Sequence, residues 1–190
     1  ATPASLFGQE VAEGFKQLAC VLKDAAGGVI DPTRFDELFG RLGKLEGAIG
    51  NMRGAFFELL VADVIRRTSP HGTVALNKIC RGDDNTTAEV DVWIIVPNLE
   101  ARFIECKGRQ PDSLVDDDEI GDWLTKRIPC VRQHLKRTLD STPTKPVFEL
   151  WVTGRLSAHA LNRIDKTRQT NQAKFELIVR HPEDIRDLVR

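Results

Sequence analysis

Two short apolar segments separated by a turn constrain the fold of this 190-residue chain more than any other feature. Residues 88–96 and 101–107 have the length and the β-branched content of buried strands. The segment Pro97-Asn98-Leu99 between them predicts a turn. Together these patterns predict an antiparallel hairpin near the middle of the chain.

The patterns around the hairpin predict an α/β fold with a mixed central sheet flanked by helices. From residue 46 onward the expected order is α-β-β-β-α-β-α-β-α, with helices at 46–68, 117–139, 157–168 and 182–189 and strands at 73–80, 88–96, 101–107, 146–153 and 174–180. Before residue 46 the chain carries only helical patterns, at 5–26 and in a short helix that Asp31-Pro32 opens. We therefore expect an N-terminal helical region, 1–45, followed by an α/β domain, 46–190.

Charge is balanced overall but uneven along the chain. The 27 basic and 28 acidic residues give a net charge of -1, which argues against a purely electrostatic nucleic-acid binder. Residues 124–190 carry 14 basic and 7 acidic side chains, whereas residues 1–123 carry 13 and 21. A basic final third beside an acidic remainder suits an anionic substrate placed against a metal site. No apolar run approaches the ~20 residues of a membrane span, so no membrane partner is expected.

Acidic and basic side chains interrupt both strands of the predicted hairpin. Strand periodicity places Glu89 and Asp91 on one face of the first strand, and Glu105 and Lys107 on one face of the second. A register that sets Asp91 opposite Glu105 brings their Cβ atoms to about 5 Å, close enough for two carboxylates to share one metal ion. The same register sets Glu89 opposite Lys107, so a purely structural cross-strand ion pair is an open alternative.

These charges lie among apolar residues. One face of the first strand is expected to carry Val90, Val92, Ile94 and Val96, and the other Trp93 and Ile95. Both faces are then partly buried, and ionised groups there are costly unless they are paired or bound to a metal. Mg²⁺ suits such a site because it takes one or two carboxylates and keeps several waters.

A further acid comes from the third predicted helix. Glu58 lies on a stripe with the small or polar residues Gly47, Asn51, Gly54 and Ala62, at steps of three or four. Small side chains allow close backbone approach, so Glu58 is expected to point at the neighbouring strand pair.

The pattern Asp91…Glu105-Cys106-Lys107 resembles the D…(D/E)-x-K signature of the PD-(D/E)xK nuclease superfamily, which has the restriction-endonuclease-like fold. Glu58 matches the helical acid that many members carry before the signature. The resemblance covers residues 46–153, and the predicted order of elements there is similar to the family core. The chain departs from the helical Gln-x-x-x-Tyr of many members, because Arg137 stands four positions after Gln133 and the chain has no Tyr.

The resemblance implies a Mg²⁺-dependent nuclease that hydrolyses DNA phosphodiester bonds, with Mn²⁺ expected to substitute. Asp91 and Glu105 would be metal ligands, Lys107 the group that orients water, and Glu58 a further acid. Expected substrate contacts are Arg109, Lys126, Arg127, Arg132 and Gln133. The acidic run 116–119 is expected to be a solvated helix start, with its charges suited to the helix dipole.

Several alternatives stay open. The chain could be a non-catalytic nucleic-acid-binding module of the same fold, or an RNA-cleaving nuclease. As a nuclease it would suit the toxin domain of an antibacterial effector, held by an immunity protein, or a restriction or defence enzyme acting as a homodimer. In each case the expected site of action is the cytoplasm, with secretion as part of a larger protein in the toxin case.

Overall fold

The computed structural model describes residues 9, 11–16, 32–83, 85–96, 99–138 and 145–189, without the side chains of 32–39, 41, 42 and 189. The chain divides into two compact units, Ala1–Phe56 and Phe57–Arg190. The described residues of the first unit are helical. Of the predicted helix 5–26, residues 9 and 11–16 are described, and the remainder lies outside the described residues, as do Pro97 and Asn98 of the predicted turn.

The predicted order of elements from residue 46 onward is confirmed. The helices are α1 (Pro32–Thr68), α2 (Asp117–Asp122), a π-helix (Trp123–Arg127), α3 (Ile128–Thr138), α4 (Ala158–Asn171) and α5 (Pro182–Val189). The strands are β1 (Thr73–Arg81), β2 (Thr87–Val96), β3 (Glu100–Lys107), β4 (Val147–Val152) and β5 (Glu176–Arg180). Among the helices of these ranges, none is both long and apolar enough to cross a bilayer.

Helix α1 corrects one expectation. The sequence predicts a short helix after Asp31-Pro32 and a separate helix from residue 46, but a single helix runs from Pro32 to Thr68. Several glycines lie between residues 40 and 50, and each costs the helix about 1 kcal/mol relative to alanine without ending it. No proline follows until Pro70, so nothing forces a break. The domain boundary expected near residue 45 stays a prediction, and the two compact units meet between Phe56 and Phe57.

The five strands form one mixed sheet in the order β1-β2-β3-β4-β5. Strands β1, β2 and β3 are antiparallel neighbours, and β3, β4 and β5 are parallel neighbours. In the hairpin, Val92 pairs with Ile104 and Trp93 with Phe103. This is the predicted register, because continuing it by one residue sets Asp91 opposite Glu105.

Apolar residues cover both faces of the sheet, as expected from the two-sided pattern of β2. On one face Val92 and Ile94 join a core with α1 and α5, through Val61, Ile65, Ile104, Trp151 and Ile185. On the other face Trp93 joins a core with α2, α3 and α4, through Phe103, Ile120, Val131, Phe148, Leu150 and Ile164. The sequence analysis expected Val90 to share a face with Val92. The structure corrects this, because Val90 belongs to the second core.

The change of face falls at Asp91. Directly across from it in β1, Asn77 has a left-handed φ of 51° and is left out of the ladder between Leu76↔Val92 and Lys78↔Val90. Asparagine tolerates this backbone region better than most residues. The distortion of β1 therefore accompanies the change of side-chain direction in β2 between Val90 and Val92.

A buried carboxylate at the centre of the sheet was not anticipated from the sequence. Glu149 in β4 is 1% exposed. Its Oε2 accepts a hydrogen bond from Trp151 Nε1 (2.9 Å), and Arg102 Nε lies 3.1 Å from its Oε1. Arg180 Nε lies 3.3 Å from Oε2. Arginines of the two neighbouring strands thus compensate the buried charge.

We expect Glu149→Gln to lower the free energy of unfolding by about 3 kcal/mol, because it leaves Arg102 and Arg180 without their buried counter-charge. Chemical denaturation measures this difference. Glu176→Gln, the same substitution at an exposed position of the adjacent strand β5, should change it by less than about 0.5 kcal/mol. Equal stabilities for the two variants would contradict a structural role for Glu149.

Candidate functional site

A gap opens where β2 and β3 separate. The hairpin ladder ends at Val92↔Ile104, beyond which β2 continues beside β1 and β3 continues beside β4. A small cavity lies at this point, lined among others by Glu89, Glu105 and Arg127. Strands that separate in this way leave side chains and backbone groups free to face a common space.

The carboxylate of Asp91 bridges the gap. Its Oδ2 accepts a hydrogen bond from the backbone N–H of Cys106 at 2.6 Å. The expectation that Asp91 pairs directly with Glu105 is therefore corrected, because the ladder stops one residue earlier and the side chain of Asp91 takes the place of a backbone acceptor. The two acids nevertheless flank the same gap.

Glu105 is almost fully buried, with 3% of its surface exposed. Its Oε1 accepts a hydrogen bond from Arg127 Nη1 at 2.7 Å and lies 3.0 Å from Lys107 Nζ. A buried carboxylate needs such compensation, because removing it from water without a partner costs several kcal/mol. Two cations therefore converge on one oxygen of Glu105.

Lys107 has a second acidic partner that the sequence analysis did not select. Its Nζ lies 2.8 Å from Glu119 Oε2, and the other carboxylate oxygen of Glu119 pairs with Arg109. Lys107 thus pairs with Glu105 and Glu119, and not with Glu89 as the structural alternative expected. Burial lowers the pKa of Lys107, but Glu105 and Glu119 outweigh this effect and the pKa is raised above its ordinary value. Lys107 is therefore a stable cation at neutral pH.

Glu58 faces the same group of charges from α1. Its side chain is partly buried, and burial followed by repulsion from Glu89 and Glu105 raises its pKa, which Lys107 partly offsets. The repulsion of Glu58 with Glu105 and Asp91 indicates that Glu58 lies near the gap.

The three acids Glu58, Asp91 and Glu105 act on one another electrostatically. Burial, then repulsion from Glu105, raises the pKa of Asp91 to about 7, against the lowering effect of the Cys106 N–H. Repulsion from Glu58 adds to the increase, and Lys107 opposes it. A divalent cation would offset the repulsion among these carboxylates.

The fit of this set to a metal ion can be tested on its geometry. Among the described residues, no three His, Cys, Asp or Glu side chains lie close enough together to hold a metal ion. Mg²⁺ needs only one or two carboxylates because it retains waters, so Asp91 and Glu105 suffice chemically. Oε1 of Glu105 is paired with Lys107 and Arg127, which leaves its Oε2 and the Oδ1 of Asp91 as the oxygens that best fit the ion.

A π-helical turn interrupts the helix that was expected to be continuous over 117–139. Asp116 caps α2 by accepting the N–H of Asp118, and the π-helix follows, closed by a bond from the N–H of Ile128 to the carbonyl oxygen of Trp123. One extra residue in a turn changes the direction of the side chains that follow it. Arg127, the last residue of this turn, points at Glu105.

The five predicted substrate contacts have different surroundings. Arg127 and Arg109 belong to the charge network of the gap, through Glu105 and Glu119 respectively. The other three have partners elsewhere: Lys126 pairs with Asp122, Arg132 stacks over the ring of Phe175, and Gln133 accepts the N–H of Asp83. The structure therefore brings two of the five to the candidate site.

Comparisons with known proteins do not indicate a function for the chain. No family model and no curated protein matches the chain. Among solved structures, one titled "Crystal Structure of Protein of Unknown Function AF1548" is similar, with a TM-score of 0.41 and 17% identity over 67% of this chain. The matched part spans 62% of that protein's length, less than two thirds. So distant a likeness carries no argument about function.

The raised pKa of Asp91 predicts a pH dependence of stability. Between its ordinary value of 3.8 and about 7, the folded state binds the proton of Asp91 more tightly than the unfolded state. Stability therefore falls as the pH rises through this window, and the loss is complete above the folded-state pKa. Asn carries no proton to lose, so Asp91→Asn should gain melting temperature relative to the wild type from about pH 5 to about pH 7.

Thermal unfolding without divalent cations measures this gain. Asp63→Asn, an exposed aspartate on α1, should give a curve parallel to that of the wild type. If Asp91→Asn also runs parallel, Asp91 ionises with its ordinary pKa and the repulsion among the three acids is absent.

Proposed function

We propose that the chain is a Mg²⁺-dependent nuclease that hydrolyses DNA phosphodiester bonds, with a restriction-endonuclease-like core. The observation that carries the proposal is the convergence of Glu58, Asp91, Glu105 and Lys107 at the gap between β2 and β3. Three acids and one lysine in this arrangement match the chemistry that phosphodiester hydrolysis requires: oxygen ligands for a hard cation beside a fixed ammonium group.

Asp91 and Glu105 would hold the metal ion, with Glu58 as a third acid that acts on it through water. When bound, Mg²⁺ would polarise the phosphodiester and stabilise the charge that develops in the transition state, and Mn²⁺ would substitute for it. The protein's own part in this chemistry is to keep the carboxylates close together against their mutual repulsion.

Lys107 would orient the attacking water. Its raised pKa keeps the ammonium group protonated, so it acts as a hydrogen-bond donor and not as a proton acceptor in this arrangement. Glu105 and Glu119 on either side fix the position of Nζ. Arg109 and Arg127, which belong to the same charge network, would contact the phosphate of a substrate, because guanidinium groups bind phosphate with two parallel hydrogen bonds.

A second candidate function is a nucleic-acid-binding module without catalysis. It is favoured by the pairing of Glu105 with both Lys107 and Arg127, which neutralises a proposed metal ligand from within the chain. An RNA substrate, an immunity protein, a homodimer, and the toxin, restriction or defence context stay predictions from the sequence, as does a cytoplasmic site of action.

Cleavage of supercoiled plasmid tests the proposal. We expect the full chain to nick plasmid with Mg²⁺ or Mn²⁺ and not with EDTA. Lys107→Ala and Asp91→Ala should each lower the rate at least 100-fold, because each removes a group acting on the transition state. Lys174→Ala, an exposed lysine distant in sequence from the gap, should cleave at the rate of the wild type.

The substrates and outcomes separate the candidates. Cleavage of a structured RNA, or of a single-stranded DNA, tested beside the plasmid would identify an RNA nuclease or a single-strand nuclease, respectively. Cleavage that persists in both site variants would contradict the assignment of the site. Binding of DNA in EDTA, with no cleavage of any substrate by the wild type in any metal, would favour the binding module.

A further inference from the structure

Arg127 occupies an unusual position for a residue expected to bind substrate, because its guanidinium group is paired with a proposed metal ligand. Arg127 Nη1 lies 2.7 Å from Glu105 Oε1, and Lys107 Nζ lies 3.0 Å from the same oxygen. A divalent cation bound to the other carboxylate oxygen of Glu105, Oε2, would lie on the same carboxylate as these two positive charges. Like charges on one partly buried carboxylate repel each other, so metal binding favours the withdrawal of one of the two cations.

The surroundings of the two cations identify which one withdraws. Lys107 is 13% exposed and has a second anchor in Glu119, so it is held on both sides. The side chain of Arg127 is 40% exposed, and Glu105 is the carboxylate to which it is paired within the described part of the chain. Arg127 can leave Glu105 for the solvent by rotating its side chain, whereas Lys107 would have to break two ion pairs.

The π-helical turn keeps Arg127 at the gap after it leaves Glu105. The buried side chains of Trp123 and Leu124 anchor the turn Trp123–Arg127. Its backbone therefore stays in place when the guanidinium group of Arg127 leaves Glu105. A long, partly exposed arginine side chain beside the proposed metal site is suited to bind a phosphate oxygen pair.

We propose that Arg127 is an exchangeable counter-ion: it neutralises Glu105 in the metal-free protein, and it is displaced by the metal ion and transferred to the phosphate of the nucleic acid. The proposal rests on the proposed nuclease function and adds a positioning role that links metal binding to substrate binding. It requires that Arg127 oppose metal binding and favour substrate binding. A residue with a merely structural role would weaken both.

Titration calorimetry of the full chain with Mn²⁺ alone, and with Mg²⁺ alone, tests the first requirement. Arg127→Gln should bind the metal ion at least about fivefold more tightly than the wild type, because a competing positive charge is removed from Glu105. Arg127→Lys keeps the charge and should stay within about twofold of the wild type. Arg186→Gln, the same loss of charge at an exposed position of α5, should not change the affinity.

Cleavage kinetics test the second requirement. Arg127→Gln should lower the Mg²⁺ concentration needed for half-maximal rate and raise the KM for DNA several-fold, a pair of shifts in opposite directions. Melting temperatures close to that of the wild type would show that the variant is folded.

The outcomes distinguish this inference from the function on which it rests. Tighter metal binding by Arg127→Gln, restored to the wild-type value in Arg127→Lys, supports the exchange. Equal or weaker metal binding by Arg127→Gln, in a protein that does bind Mg²⁺, overturns the exchange and leaves the proposed function standing. If neither the wild type nor Arg127→Gln binds Mn²⁺ or Mg²⁺, both the exchange and the metal-dependent function are wrong.

Discussion

The side chain of Asp91 forms a hydrogen bond across the point where the paired strands β2 and β3 separate. Strand β2 leaves β3 beyond Val92, and the backbone N–H of Cys106 would then lack a partner across the gap. Asp91 supplies that partner with its own carboxylate. The gap therefore stays open to other side chains while the backbone hydrogen bonding of β3 is satisfied, and Glu105 and Lys107 can face it from β3.

Opening the sheet in this way concentrates negative charge in a partly buried space. Repulsion from Glu105 contributes to the raised pKa of Glu58 and of Asp91, and the protein offsets the negative charge with Lys107 and Arg127. The acids come from helix α1 and from two strands. Arg127 comes from the π-helical turn, which packs on the face of the sheet opposite to α1. The same charges that must be compensated in the free protein are the ones that a divalent cation would bind.

A second buried acid shows why burial alone does not mark a functional site. Glu149 is as deeply buried as Glu105 and is likewise compensated by two basic side chains. Its partners Arg102 and Arg180 extend from the neighbouring strands, and the indole of Trp151 completes its hydrogen bonding. Glu105 differs because two other acids act on the same space at a break in the sheet. The neighbouring acids, and not the extent of burial, therefore distinguish Glu105 from Glu149.

The sequence alone predicted the order of strands and helices from residue 46 and the register of the hairpin, because these depend on local periodicity and on a short turn. It also selected Asp91, Glu105 and Lys107, since charges in apolar strands stand out without any structure, and it selected Glu58 from its stripe of small residues on a helix. It did not predict the continuity of α1 across residue 45, because glycines weaken a helix without ending it.

Only the tertiary structure decided what surrounds these charges. Glu119 and Arg127 belong to a helical segment whose acids and bases, taken from the sequence, are typical of a solvated surface. Their contacts with Lys107 and Glu105 depend on how α2 and the π-helical turn pack over β3, and on the one-residue change of direction that the π-helix introduces. Packing between distant segments sets such distances, and the periodicity of one segment carries no information about them.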